Sequence, residues 1–189
     1  MDNCIVSISC VCVGIGNGGT TPMLARIAIV NAHGQILYAT YVKPVAPITT
    51  LRTDRTGIQP TDLTGGAARS ILQVQREASA ILANKIVVGH KLWLSLSVLG
   101  IVHPAVSTRD VALYLPFRNT LRQPNRLFEL SELVQGLMLR SLSEIEEPIE
   151  SARAAVDLYR SVVKTWESSL VSRIWPCAPT PDAYSSSYT

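Results

Sequence analysis

The stretch ISCVCVG, residues Ile8 to Gly14, decides the fold that the sequence predicts. It lies in a run of strand-forming residues that extends from Cys4 to Val13 and contains no charge. Successive side chains of a strand point to opposite faces of a sheet, so Ser9 and Val11 share one face. A run this apolar predicts a buried strand.

The strand and helix patterns that follow predict an α/β domain. The predicted strands are 4–13, 24–30, 35–42, 85–89 and 106–110, and the predicted helices are 66–82, 92–99, 128–139 and 150–173. A turn at 31–34 joins the second and third strands, which indicates an antiparallel meander. We therefore expect a mixed β-sheet of about five strands, the first three antiparallel, with helices on both faces.

Composition limits the class of protein. Of the 189 residues, 47% are hydrophobic, which is enough for one core, so residues 1–173 are predicted to form a single domain and the Pro- and Ser-rich residues 174–189 a flexible tail. The formal charge of +3 neither requires nor excludes nucleic acid. With no signal peptide or membrane-spanning run, we expect a soluble intracellular protein, cytoplasmic or nuclear, that does not bind membranes; the sequence does not indicate its oligomeric state.

The cysteines do not predict a metal site. Cys4, Cys10, Cys12 and Cys177 lack the spacing of zinc ligands. Cys10 and Cys12 share one strand face, where buried thiols commonly serve as small apolar residues. Structural roles are therefore predicted for them.

Five segments together resemble one family. They are VGIGNGGTTPMLARIAIVNAHGQILYATYVKP (13–44), RTDRTGIQPTDL (52–63), IVVGHKLWLSLSVL (86–99), RDVALYLPFR (109–118) and SARAAVDLYR (151–160). In this order and spacing the chain resembles the Rex-type RNA exonucleases of the DEDDh superfamily, over about residues 5–165. The resemblance implies a ribonuclease H-like fold.

In that family four carboxylates hold two magnesium ions and a His acts as general base in phosphodiester hydrolysis. The matching positions in this chain are Ser9, Val11, Ser95, Glu146 and Ser151. Three hydroxyls and an isopropyl group cannot balance the charge of two divalent cations. The resemblance therefore implies that all the catalytic motif residues are replaced, and we expect no metal or other cofactor.

Two functions follow as hypotheses. The first is a catalytically inactive exonuclease homologue, a pseudo-exonuclease whose former active-site groove now serves for binding, with a small molecule or single-stranded nucleic acid as the ligand. The alternative is a metal-independent enzyme that acts on a small organic substrate by acid/base hydrolysis, dehydration or cyclisation. A nuclease with a different metal arrangement is disfavoured, since Asp110 and Glu146 are too few carboxylates.

The candidate catalytic residues are Glu146, His90, Ser9, Ser95 and Ser151. A Ser nucleophile needs a base within hydrogen-bond reach, and His90 and Glu146 are the available candidates. Each also has a structural alternative: the serines as small fillers, His90 as a core residue, and Glu146 as one of an acidic surface run.

The candidate ligand-binding residues are Trp93, Lys91, Asp110 and Val11. Trp93 is predicted either to stack on a planar ligand or to fill the core. Asp110 is expected to orient loops through hydrogen bonds. A predicted loop with Arg118, Arg122 and Arg126 is either a phosphate contact or a solvated surface.

Overall fold

A computed structural model describes residues 4–189 and has a six-stranded mixed sheet at its centre. The strands are β1 (Ile5–Ile15), β2 (Thr21–Asn31), β3 (Ile36–Tyr41), β4 (Ile48–Thr50), β5 (Ile86–Gly89) and β6 (Thr108–Asp110). Their order is β3-β2-β1-β5-β6, with β4 paired to the end of β1. β1, β2 and β3 are antiparallel and β1, β5 and β6 are parallel, which confirms the predicted mixed sheet.

Seven α-helices are formed by the described residues. They are α1 (Thr53–Thr56), α2 (Pro60–Thr64), α3 (Ile71–Leu82), α4 (Leu92–Leu99), α5 (Leu115–Thr120), α6 (Leu130–Met138) and α7 (Pro148–Val171). α7 packs on β1, β2 and β5, and α3 and α4 cover the opposite face. The expectation of helices on both faces is confirmed.

β1 is the strand on which the other elements are arranged, because it pairs with β2, β4 and β5. A register shift between Val11 and Cys12 marks a bulge in its pairing with β2. Beside β1, Gly89 ends β5 at a point with no room for a side chain. A Cβ there would lie 2.5 Å from Leu92 Cδ2 and 3.0 Å from the Ile8 carbonyl oxygen. This close approach lets α4 begin directly over β1.

The core under α7 is built around aromatic rings. Trp166 is fully buried and stacks on Tyr114, with ring centroids 4.0 Å apart and an interplanar angle of 6°. The Tyr159 ring meets Trp166 edge to face at 5.7 Å. These contacts attach the second half of α7 to the segment after β6.

Residues 174–189, predicted to be a flexible tail, lie against the fold. Tyr114 forms a β-bridge with Cys177, and His103 forms one with Tyr188. The amide of Ala105 donates to the Thr189 carbonyl oxygen at 2.9 Å. The tail thus covers the β6 side of the sheet with backbone hydrogen bonds that composition alone does not reveal.

The predicted basic loop is partly helical, and Arg118 does not belong to its surface. Arg118 lies in α5, is buried, and donates through Nε and Nη2 to the Ala112 carbonyl oxygen at 3.0 and 2.7 Å. Its guanidinium satisfies backbone inside the protein. The idea that Arg118 contacts a ligand phosphate is therefore corrected.

In the part of the chain from residue 4 onward, none of the helices combines the length and apolar character needed to cross a membrane.

Trp166→Ala is expected to lower the free energy of unfolding by about 3–5 kcal/mol, because it leaves a cavity in the aromatic core. Trp175→Ala is the matched control, since that ring is 45% exposed, and we expect a much smaller loss. Urea unfolding followed by circular dichroism measures both. Equal losses for the two variants would contradict the assignment of the core.

Candidate functional site

A groove with a volume of about 590 Å³ lies where β1 and the starts of three helices meet. Residues 8–12 of β1 line it, and residues 142–146, in the loop before α7, form one wall. The turn after Gly89 brings the start of α4 to the groove, and the first residues of α6 and α7 complete it. The topology therefore gathers residues distant in sequence.

All five motif-matched positions line this groove: Ser9, Val11, Ser95, Glu146 and Ser151. Val11 and Ser95 are buried, whereas Ser9 and Ser151 are partly exposed. β1, α4 and α7 thus bring together the positions that the resemblance aligned. Their chemical roles stay predictions.

The two cysteines of β1 also line the groove, and their thiols are kept protonated. Burial raises the pKa of Cys10 well above its usual range, and a side-chain hydrogen bond with Ser95 only partly offsets this. Burial and the nearby Glu146 carboxylate raise the pKa of Cys12 to about 12. Since thiolates are the reactive form, these residues act as small packing groups at neutral pH.

His90 lines the groove with its ring tied to the backbone. Its Nε2 lies 2.9 Å from the Phe128 carbonyl oxygen, so Nε2–H is the donor. Burial lowers the pKa of His90 to about 4, although the hydrogen bond to Phe128 opposes this. The ring is therefore neutral at pH 7 and connects the start of α4 to the segment before α6.

Asp110 lies beneath the groove and not on its surface. Its Oδ1 accepts from the amides of Lys91 and Ala112 at 3.0 and 2.9 Å, and its Oδ2 accepts from the amide of Leu92 at 2.7 Å. Burial raises its pKa to about 7, against these hydrogen bonds and the nearby Arg118 charge. Asp110 thus orients a turn through hydrogen bonds, as expected, but its buried side chain does not line the groove.

Lys91 reaches the rim of the groove from that turn. Its backbone is left-handed, with φ of 53°, and its Nζ lies 2.6 Å from Glu129 Oε1. Lys91 therefore supplies a cation on one side of the groove, and Glu129 places a carboxylate beside it.

Glu146 lies at the position where the resemblance to the exonuclease family implies the general base, and it is held by Arg55. Its Oε1 is 2.5 Å from Arg55 Nε, and its amide donates to the Arg55 carbonyl oxygen at 2.8 Å. The next residue, Glu147, pairs with Arg26 at 2.6 Å. The loop before α7 is therefore fixed by ion pairs to α1 and β2.

Trp93 does not belong to the groove. Its side chain is 3% exposed and packs in the core under α7, and it is absent from the described residues that line the groove. The proposed stacking on a planar ligand is corrected, because the ring is already enclosed by protein. The alternative of a core residue is the one the structure supports.

Three charged groove residues were not singled out from the sequence: Arg52, Arg55 and Glu129. The two arginines lie within the family-like segment RTDRTGIQPTDL, which was a signal for their position. No sequence motif indicated Glu129, because its place at the rim depends on a contact with Lys91 that only the structure shows.

The side chains do not fit the pair of divalent cations that the family uses. Among residues 4–189, no cluster of three or more His, Cys, Asp or Glu side chains could hold a metal ion. Glu146 and Glu150 line the groove near Ser151, and they contact Arg55 and the Ser143 amide respectively. Divalent magnesium needs converging oxygen ligands with negative charge, and the described groove residues do not supply them.

His90→Gln tests the buried neutral imidazole. A folded-state pKa of about 4 lies below the ordinary value of 6.5, so unfolding takes up a proton between these values and stability falls as the pH falls. From pH 6.5 to 4, we expect the wild type to lose up to about 3 kcal/mol relative to the variant.

The measurement is urea unfolding of both proteins across this pH range. Comparison with the variant removes the contribution of Asp110, whose raised pKa acts in the opposite direction between about pH 4 and 7. A difference that does not change with pH would show that His90 titrates alike in both states.

Known proteins resemble this chain in sequence. No model of a protein family matches it. Human RNA exonuclease 4 is 37% identical over 178 residues, which are 94% of this chain and 41% of that protein. RNA exonuclease 4 of Mycosarcoma maydis is 36% identical over 169 residues, 89% of this chain and 44% of that one. The chain therefore spans less than half the length of these relatives.

Solved structures share the fold. The Neurospora crassa Pan2 catalytic unit, with protease and nuclease domains, matches 91% of this chain and 29% of its own with a TM-score of 0.73 and 20% identity. The Saccharomyces cerevisiae Pan2 pseudoubiquitin hydrolase-RNA exonuclease module in complex with AAGGA RNA has a TM-score of 0.73 and 25% identity, over 89% of this chain and 31% of that one. The predicted ribonuclease H-like fold is confirmed.

These findings correct the functional prediction. Relatives 36 and 37% identical over most of the chain are named RNA exonuclease 4, which points to an RNA exonuclease and not to an inactive homologue. The alternative, a metal-independent enzyme for a small organic substrate, falls with it. The chain is therefore similar in sequence to RNA exonucleases and has the ribonuclease H-like fold of the Pan2 exonuclease structures.

Proposed function

We propose that this chain acts on RNA as a member of the RNA exonuclease 4 group, and that its groove receives the end of a single strand. The observation that carries the proposal is the coincidence of the groove with the family-like segments. Every motif-matched position lines it, from Ser9 on β1 to Ser151 on α7.

The charges on the groove support an RNA ligand. Arg52, Arg55 and Lys91 all line it, and such cations are the usual contacts of phosphate groups. Arg52 is held in place by donation from its Nη2 to the Gly19 carbonyl oxygen at 2.9 Å. The cations therefore come from two sides, α1 and the start of α4.

The floor supports a ligand with many hydroxyl and phosphate oxygens. Ser9 and Ser151 expose hydroxyls that donate and accept hydrogen bonds, and the 2′-hydroxyl of RNA is a matching partner. A floor without carboxylates does not repel phosphate. This proposal includes the replacement of the family's carboxylates by Ser9, Val11, Ser95 and Ser151. With that replacement, the phosphate contacts come from the cations at the rim of the groove.

The predicted small-molecule ligand is set aside in favour of RNA, because RNA is named for both the relatives and a structural neighbour. The structural neighbour was solved in complex with AAGGA RNA. An intracellular location remains a prediction.

The double variant Arg55→Gln/Lys91→Gln is expected to bind single-stranded RNA about ten- to thirty-fold more weakly, since each lost charged contact costs about 1 kcal/mol. The slope of log affinity against log salt should fall by about 1.4, or about 0.7 for each phosphate contact. Fluorescence anisotropy with a labelled oligonucleotide measures both quantities.

Lys164→Gln is the control, because Lys164 lies on α7 and is not one of the groove residues. It changes the net charge by one unit without a change at the groove. Equal effects of Lys164 and Lys91 single variants would contradict the groove as the RNA site. Incubation of end-labelled RNA with magnesium tests hydrolysis in parallel: shortening from one end fits an exonuclease, and internal cleavage contradicts one.

A further inference from the structure

Two cations at the groove already form ion pairs with carboxylates of the same chain. Arg55 pairs with Glu146 and Lys91 pairs with Glu129, at 2.5 and 2.6 Å. All four residues line the groove. Two of the three groove cations, Arg55 and Lys91, are therefore paired with carboxylates in the free protein.

The two pairs influence each other electrostatically. Burial raises the pKa of Glu129, but its hydrogen bond and charge interaction with Lys91, together with the charge of Arg55, give a net lowering. Arg55 thus acts on carboxylates from two elements, the loop before α7 and the start of α6. We call Arg55, Glu146, Glu129 and Lys91 the groove clasp.

The clasp is held by more than side chains. The amide of Glu146 donates to the Arg55 carbonyl oxygen at 2.8 Å, which fixes the loop to α1. On the other side the turn before α4 is fixed by Asp110, which accepts from the Lys91 amide. Backbone hydrogen bonds therefore hold both sides of the groove, and its walls do not depend on the ion pairs alone.

We propose that the groove clasp is a built-in competitor for phosphate, so that RNA binds by exchanging Glu129 and Glu146 for its own phosphates on Lys91 and Arg55. This inference rests on the proposed function and adds to it a device that sets RNA affinity. A carboxylate and a phosphate oxygen compete for the same guanidinium and ammonium donors. Ligands without negative charge gain nothing from the exchange.

The size of the effect follows from the exposure of the pairs. The side chains are 62% and 36% exposed in the Arg55–Glu146 pair and 19% and 58% exposed in the Lys91–Glu129 pair. Exposed pairs are weak, so each one raises the dissociation constant of RNA by only about two- to five-fold. Together they are expected to change it by about ten-fold.

The experiment compares Glu129→Gln, Glu146→Gln and their double variant with the wild type in RNA-binding anisotropy. Each single variant should bind single-stranded RNA about two- to five-fold more tightly, and the double variant about ten-fold. Glu144→Gln is the matched control, since Glu144 lines the same groove but lies in neither ion pair. It measures the general effect of one negative charge removed near RNA, and we expect a smaller gain.

A double-mutant cycle separates exchange from general charge effects. When Lys91→Gln is already present, Glu129→Gln should add no more than Glu144→Gln does, because the pair no longer exists. Arg55→Gln with Glu146→Gln gives the second cycle. Circular dichroism checks that each variant is folded, which matters for Glu129 because its side chain also caps α6.

The outcomes separate the two proposals. If wild-type binding depends on Arg55 and Lys91 but the glutamate variants gain no more than Glu144→Gln, the clasp is overturned and the RNA groove stands. If the wild type and the double glutamate variant both fail to bind RNA, the RNA function itself is overturned. A gain that is specific to Glu129 and Glu146 and lost with their cations supports both.

Discussion

The groove depends on one buried interaction, the carboxylate of Asp110 at the end of β6. It accepts hydrogen bonds from the backbone amides of Lys91 and Leu92, which would otherwise lack a partner at the start of α4. Lys91 is held in a left-handed conformation that costs a residue with a side chain about 1–2 kcal/mol, so it needs this support. Since the turn also carries His90, both contacts to the α6 segment follow from Asp110. The end of β6, the start of α4 and this wall of the groove are therefore held together by the same carboxylate.

The parts of the fold that the sequence predicted are those with strong periodicity. β1, β2 and β3 were located to within about three residues, and the bounds of α4 were predicted as they are. The short elements were missed, because β4 and α1 have only three and four residues and carry too little pattern. The tail at 174–189 was misjudged because its order comes from contacts with His103, Ala105 and Tyr114, far away in the sequence. Composition cannot show such contacts.

The candidate site divides in the same way. Motif spacing identified its floor, since Ser9, Ser95 and Ser151 lie on elements whose order the family-like segments fix. The rim could not be predicted, because the two residues of each ion pair are far apart in the sequence. The separation is 91 positions for Arg55 and Glu146 and 38 positions for Lys91 and Glu129. Trp93 shows a third limit. Because α4 is apolar on most sides, its periodicity does not predict which way the Trp93 ring points. The ring packs in the core under α7, and this contact is visible only in the structure.

The floor and rim together determine how the groove distinguishes ligands. A neutral floor supplies no strong attraction, so the field at the groove comes from the cations Arg52, Arg55 and Lys91 and from four glutamates on its walls, Glu129, Glu144, Glu146 and Glu150. Glu129 and Glu146 pair with Lys91 and Arg55 in the free protein, and in the proposed exchange a ligand replaces those two contacts with its own charge. A chain with several phosphates can do this, whereas a neutral molecule of equal size cannot. If RNA binds by the proposed exchange, ligand charge, and with it ionic strength, is the property to which the groove responds most.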